Sequence, residues 1–450
     1  MLFYRNNYFL RVMQTSNGRK YKRLGPLQLA AVIFLTVSGG PYGLEPLLYY
    51  VGKGGALLLL MIVPLLWDIP TIFIVLELNS MMPVNGGYYE WVKRAMGKRF
   101  AFYEGWWTWL YTFVDLAIYP VLFVEYAAFF FPWLTDYKVP VCLFIIWLSA
   151  ALNILGIVPV GKISILLTAI VLIPFFIFFV VGFSHQHNTI SSLSLKGVGF
   201  SSIGLGLYTV MWNFMGWDNA TTYAGEVDKP IRSYLISVAI AFSIVFAIYF
   251  TTTIIAQNSG FSFARLNDEG FPSLGAALGG HWLGVLLSVG GMASTLGLFS
   301  AVLLSVSRVP KVMADDKLLS PELSALHPKF NTPYISIIIC AIVVSLMILW
   351  KFDELIVIDV SLYGAALSLE FIALIILRIK TPDEHRPFKI PLGIKGLCVM
   401  TLLPLSVYVI AITAEFTVSK RAPIFFAIAA LLSAELGWQI IKWRNPKIAD

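Results

Sequence analysis

Runs of roughly 20 mostly apolar residues recur along this chain, among them Ala56 to Leu78, Ile163 to Phe183 and Ser237 to Ala256. A helix of that length crosses the hydrocarbon core of a bilayer. The rest of the composition agrees: 58% of the 450 residues are hydrophobic and 13% charged, with a mean hydropathy of +0.80. That balance is outside the range of soluble globular domains. The stretch from Met1 to Arg23 carries Arg5, Arg11, Arg19, Lys20, Lys22 and Arg23. It has no short apolar core ending at a small-residue cleavage site, so it reads as a basic cytoplasmic tail and not a removed signal peptide. Cys142, Cys340 and Cys398 fall in or beside apolar runs without metal-like spacing, which indicates neither a disulfide framework nor a zinc site. The net charge of +7 sits in short loops beside apolar runs, where positive residues set orientation; nucleic acid is not an expected partner.

Glycine, proline and charge punctuate the apolar runs into about twelve spans. They begin near Pro26, Gly55, Ala101, Val139, Gly161 and Ser201, and then near Ser233, Trp282, Pro333, Leu355, Ile394 and Pro423. Assigned to alternate sides, most of the 32 lysines and arginines fall with the N-terminus, which places both termini in the cytoplasm. Two spans are poor continuous helices. The first contains Ser38-Gly39-Gly40-Pro41-Tyr42-Gly43; the sixth carries Gly204, Gly206 and Gly216 around Trp212-Asn213-Phe214. Irregular backbone at membrane depth is tolerated where it lines a cavity or is buried in protein. Breaks five spans apart match a five-plus-five inverted repeat with substrate bound between them. The expected organisation is an all-α membrane protein with a basic tail (1–25) and a first repeat (26–184). A second repeat (200–380), two peripheral spans (393–443) and a short cytoplasmic tail (444–450) follow.

Several motifs carry a family likeness. Ser38-Gly39-Gly40-Pro41-Tyr42-Gly43-Leu44-Glu45, Asn85-Gly86-Gly87-Tyr88 and Tyr119-Pro120-Val121-Leu122-Phe123 are three of them. Ala224-Gly225-Glu226-Val227-Asp228-Lys229-Pro230 and Arg386-Pro387-Phe388-Lys389-Ile390-Pro391 are two more. Over about Gly25 to Thr413 the chain resembles the amino acid–polyamine–organocation superfamily, most closely its polyamine-uptake and L-type amino acid transporter branch. The resemblance implies the inverted-repeat fold with helices one and six unwound, working by alternating access. It matches Trp212 to an aromatic that stacks over substrate, and Asp218 to a position where some relatives carry an acid. Light chains of this superfamily pair by disulfide through the loop after span three. Here that loop, Pro132 to Pro140, has no cysteine, so no disulfide-linked heavy chain is expected and oligomeric state stays open.

A carboxylate inside a span costs on the order of 3 kcal/mol and is retained for a purpose. Glu45, Asp68, Glu77, Asp115, Glu125, Asp218, Glu370 and Glu415 all fall in the expected spans, whereas Lys162 is almost the only basic residue there. That imbalance favours a cationic ligand or protons, because unpaired carboxylates need one or the other. Glu45 and Asp218 each follow a break, so a single cavity holding both would suit a diamine or polyamine. An amino acid would instead present a carboxylate to the freed N–H groups of Gly39, Gly40 and Gly43; Pro41 offers none. The substrate-binding candidates are Ser38, Gly39, Gly40, Gly43 and Glu45 on span one, and Trp212, Asn213, Trp217 and Asp218 on span six, with Tyr363 on span ten. Trp212 would close over a cation.

Asp68, Glu77, Asp115 and Lys162 are the proton-coupling candidates, Lys162 lying about a turn beyond the position of a lysine sensor in some relatives, with Val158 nearer to it. Each acid has a plain structural alternative as a protonated group bonded to backbone, and Lys162 as an interfacial lysine. Ser294 and Thr295 leave sodium open as the coupling ion. No cofactor and no metal are expected: His185, His187, His281, His327 and His385 lie in or near loops, and no nucleophile motif or phosphate-binding loop stands out. The reading is therefore a secondary active transporter of amino acids or polyamines in the plasma membrane, not an enzyme. A neutral amino acid exchanger is its nearest alternative; a sensor or a membrane enzyme is more remote.

Overall fold

The computed structural model describes residues 23–185, 189–348, 352–417 and 422–446. Most of the basic N-terminal tail and the end of the C-terminal tail lie outside the described residues. The described residues form helices and connecting loops, with only isolated bridges of extended backbone at Leu24–Val227 and Asn85–Tyr223. This follows from the solvent, since in lipid a peptide group must find its partner within its own helix.

The first span is two half-helices. Helix α1 (Pro26–Val37) starts with proline at its first turn, where a missing N–H costs nothing. It ends where Gly39, Gly40 and Gly43 take φ of 59°, 98° and 90°. Helix α2 (Pro46–Val63) resumes after Glu45, kinks at Gly52, and runs through a π-helical turn at Pro64–Asp68 into α3 (Ile69–Met81). Amphipathic α4 (Tyr88–Met96) precedes α5 (Lys98–Ala127), which is followed by α6 (Lys138–Ile154) and α7 (Ile157–His185). The sixth span is again a half-helix, α8 (Phe200–Phe214), followed by an unwound segment and a 3₁₀ turn at Asn219–Thr222. Then come α9 (Pro230–Asn258), α10 (Phe263–Gly279), α11 (His281–Val306) and α12 (Arg308–Asp315). The chain closes with α13 (Tyr334–Met347), α14 (Phe352–Lys380), α15 (Ile394–Glu415) and α16 (Ala422–Arg444).

Among the described residues nine helices are long and apolar enough to cross a membrane, and α1 and α13 are shorter apolar helices. Helix α5 is central, packing against α11 and α14, while α1 packs against α7, α9 and α11. The break in span six is narrower than the glycine pattern predicts. Gly204 and Gly206 stay inside regular α8, where an added Cβ would strike Ala414 and Val51. Those two glycines serve close helix packing. The chain unwinds only from Met215, with Gly216 at φ 98°.

Three of the sequence motifs turn out to be docking surfaces. Gly86 N–H donates to the Thr222 carbonyl at 2.8 Å and Gly225 N–H to Asn85 Oδ1 at 3.0 Å, so the loop after span two clasps the loop after span six. The Arg386 to Pro391 segment lies on the end of α3, where Phe388 N–H donates to Ser80 Oγ at 3.1 Å.

Candidate functional site

The two broken spans meet. Asn213, in the last turn of α8, donates its side-chain amide to the Gly43 carbonyl at 3.1 Å. The Tyr249 hydroxyl, from α9, reaches both Ser38 Oγ at 2.7 Å and the Asn213 carbonyl at 2.9 Å. Trp212 lies flush against the span-one break, and a Cβ placed on Gly43 would fall 2.4 Å from its ring. Between them is a narrow cavity walled by Val37, Ser38, Asp115, Tyr119, Trp212 and Asn213. Its centre has room for about one water molecule.

The peptide N–H groups of the span-one break are already occupied. Gly39 N–H donates to the Phe34 carbonyl at 2.9 Å, Gly40 N–H to Ser38 Oγ at 3.0 Å, and Gly43 N–H to Glu45 Oε2 at 2.5 Å. At the span-six break, Gly216 N–H donates to the Tyr363 hydroxyl at 3.1 Å, and that hydroxyl donates to Asp218 Oδ1 at 2.7 Å.

The carboxylates fall into separate groups. Glu45 also accepts from the Tyr126 hydroxyl at 3.0 Å and lines a larger cavity of about 290 Å³ with Glu125, Asp268 and Glu269. Asp115 accepts from the Tyr119 hydroxyl at 2.6 Å and from the Trp212 indole at 3.3 Å. Asp218 is hydrogen-bonded with Glu370, and both stand in charge contact with Glu104. Glu45 and Asp218 therefore do not share one cavity as the sequence reading expects.

Three other candidates are placed away from the cavity. Asp68, on the π-helical turn, accepts from the Trp217 indole at 3.2 Å and fastens the span-six break to span two. Glu77 is held by Arg378 at 2.5 and 2.7 Å, with Arg386 at 3.3 Å, and accepts from Ile390 N–H at 2.8 Å. That is the setting of a fixed ion pair. It also corrects the expectation that Lys162 is almost the only basic residue in a span, since Arg378 is buried in α14. Lys162 itself is exposed on α7. Ser294 faces Gly39, while Thr295 bonds back to its own helix.

The amino acid permease family profile matches residues 24–432. The chain belongs to the amino acid permease family. Within that setting it is 32% identical to the polyamine transporter RMV1 of Arabidopsis thaliana, over 90% of this chain and 83% of that protein. It is also 32% identical to the polyamine transporter PUT1 of Oryza sativa subsp. japonica, over 90% of this chain and 76% of that one. A more distant relative, the serine/threonine exchanger SteT of Bacillus subtilis, is 24% identical over 84% of this chain and 89% of its own. Members of this permease family and these relatives are transporters and not enzymes, and the long apolar helices make the chain a multi-pass integral membrane protein.

Two acids of this permease escaped the sequence reading: Asp359 on α14 and Glu104 on α5, both essentially inaccessible. Each lies about one turn inside its span as read from sequence, where a charged side chain ordinarily reaches the interface. Asp359 interrupts the apolar run Leu355 to Val360, and that interruption was the available signal.

Proposed function

We propose that this permease is a secondary active transporter that takes up cationic organic substrates, with alkyl diamines and polyamines as its substrate class, by alternating access. One contrast carries the reading. The glycine N–H groups that would receive an amino acid carboxylate are filled by the protein's own acceptors, whereas the narrow cavity is lined by one carboxylate, Asp115, and the larger by Glu45, Glu125, Asp268 and Glu269, with no lysine, arginine or histidine in either lining. An ammonium group finds complementary charge there; a free carboxylate meets repulsion. The names of the plant relatives point the same way.

The accompanying architecture in this reading is twelve spans in a five-plus-five inverted repeat, with spans eleven and twelve outside it, both termini cytoplasmic, in the plasma membrane. Protons are the coupling ion: two carboxyls in hydrogen-bond contact, as Asp218 and Glu370 are, hold a proton between them, and unbinding it on one side of the membrane supplies coupling. Sodium is the second reading for the driver, favoured by the buried Ser294 hydroxyl, which faces Gly39 without a hydrogen-bond partner among the described residues.

The test is uptake of radiolabelled putrescine and spermidine into proteoliposomes under an inward proton gradient, an inward sodium gradient, or neither, with arginine and leucine as competitors. Proton-driven diamine uptake that neither amino acid blocks is the expected result. Leucine-competed uptake, or none of either diamine, overturns the substrate class. Acceleration by sodium alone overturns the coupling.

A further inference from the structure

Helix α5 carries Glu104, Asp115 and Tyr126 about three turns apart, hence on one face. Helix α14, packed against it, repeats the spacing with Asp359 and Glu370. Asp115 stands in charge contact with Asp359, and Glu104 with Glu370. The rung nearer the cavity differs from an ordinary buried acid pair. Asp359 is 0% exposed, and neither of its oxygens has a well-aligned hydrogen-bond partner among the described residues: the single N–H of the Trp212 indole beside it is directed at Asp115, 3.3 Å away. A buried carboxyl with both oxygens unsatisfied is costly unless something else in the working cycle supplies the donors. Asp115, whose own oxygens are tied to Tyr119 and Trp212, walls the cavity directly. No lysine or arginine is paired with either acid among the described residues.

We propose that Asp359 and Asp115 together form an ammonium-binding clamp beneath Trp212, and that its ligand is the primary ammonium end of an alkyl diamine or polyamine. The proposal rests on the transport reading above and adds to it a residue on span ten. An ammonium offers three donors. Two go to the free oxygens of Asp359 and the third to Asp115, while the aliphatic chain lies along the indole face. The Trp212 ring must swing off Gly43 to admit the ligand, because the cavity as it stands holds about one water.

The experiment compares wild type, Asp359→Asn and Asp359→Glu as purified full-length protein. It measures stabilisation by putrescine in a thermal melt and initial rates of putrescine uptake in proteoliposomes. In Asp359→Asn, putrescine affinity falls by about 10- to 100-fold, the usual worth of hydrogen bonds to a charged group. Asp359→Glu, which keeps the charge, recovers most of that loss. The melt without ligand shows that each variant is folded, and the glutamate variant carries the test if the asparagine variant is not. A wild type stabilised by putrescine beside an asparagine variant stabilised to the same degree overturns the clamp and leaves the transport reading standing. An unchanged putrescine KM with loss of proton-driven accumulation assigns Asp359 to the proton and likewise overturns it. A wild type that neither binds nor carries any diamine overturns both.

Discussion

The Asn213 side-chain amide donates to the Gly43 carbonyl across the gap between the two interrupted spans. This bond joins the last turn of α8 to an unwound segment of span one that has no helical partner of its own. In the alternating-access reading proposed above, this bond would transmit movement of one broken span to the other, making the residues around it a hinge as well as a wall.

Gly43 is the most constrained point of that hinge. Its φ of 90° is left-handed, and a side chain there would collide with Trp212. A Gly43→Ala variant bears a conformational cost of about 1–2 kcal/mol and displaces the indole. We expect it to insert and fold with a lowered melting temperature and to lose nearly all uptake. Uptake at the wild-type rate would show that Trp212 does not need its present position.

Glu45→Gln tests the carboxylate at the larger cavity. Glutamine keeps an acceptor for the Gly43 N–H and the same length, so the local backbone is retained. The lost charge is expected to weaken diamine uptake about tenfold or more. Uptake kinetics with putrescine decide it, and an unchanged KM removes Glu45 from the substrate path.

Glu77 and Arg378 form a buried ion pair, so removing one partner strands the other. Glu77→Gln is expected to cost about 3–5 kcal/mol and to lower both the melting temperature and the yield of folded protein. Replacing Glu77, Arg378 and Arg386 together with apolar residues should restore much of the loss. A single variant that melts like wild type would mean that the ion pair is not holding span two to span ten.

At the loop helix α4, burial holds the Glu90 carboxyl above its ordinary 4.5 despite the Lys93 ammonium 2.7 Å away. A carboxyl whose folded-state value is raised stabilises the fold while protonated. Stability is therefore lost as pH rises from 4.5 through the raised value. Thermal melts across that interval should fall more steeply in wild type than in Glu90→Gln. Parallel curves would assign the pH dependence to other groups.

Much of this was legible beforehand, and for definite reasons. A span must be apolar over a bilayer's thickness, so the long helices announce themselves. Gly39, Gly40, Pro41 and Gly43 form a cluster that a continuous helix cannot absorb, so the first break was plain. Gly204 and Gly206 misled because a glycine that admits Ala414 or Val51 looks, in sequence, like one that unwinds a helix. Which acids meet was not legible. Asp115 and Asp359 are far apart in the chain, and only the packing of α5 on α14 brings them together. The pairing of Glu77 with Arg378 was hidden in the same way, since each alone reads as an unmatched charge.

The face of α5 that carries Glu104, Asp115 and Tyr126, the last bonded to Glu45, sets three acidic levels at different depths. In the orientation proposed above, with the N-terminus in the cytoplasm, those levels would sample different fractions of the membrane voltage. That field is worth about 2.3 kcal/mol per elementary charge for each 100 mV. A doubly protonated diamine feels it twice over, so a negative interior deepens each successive level relative to the one outside it. The same staircase is nearly flat for a zwitterion, and in that proposed orientation the voltage of a resting cell would discriminate between the two kinds of cargo.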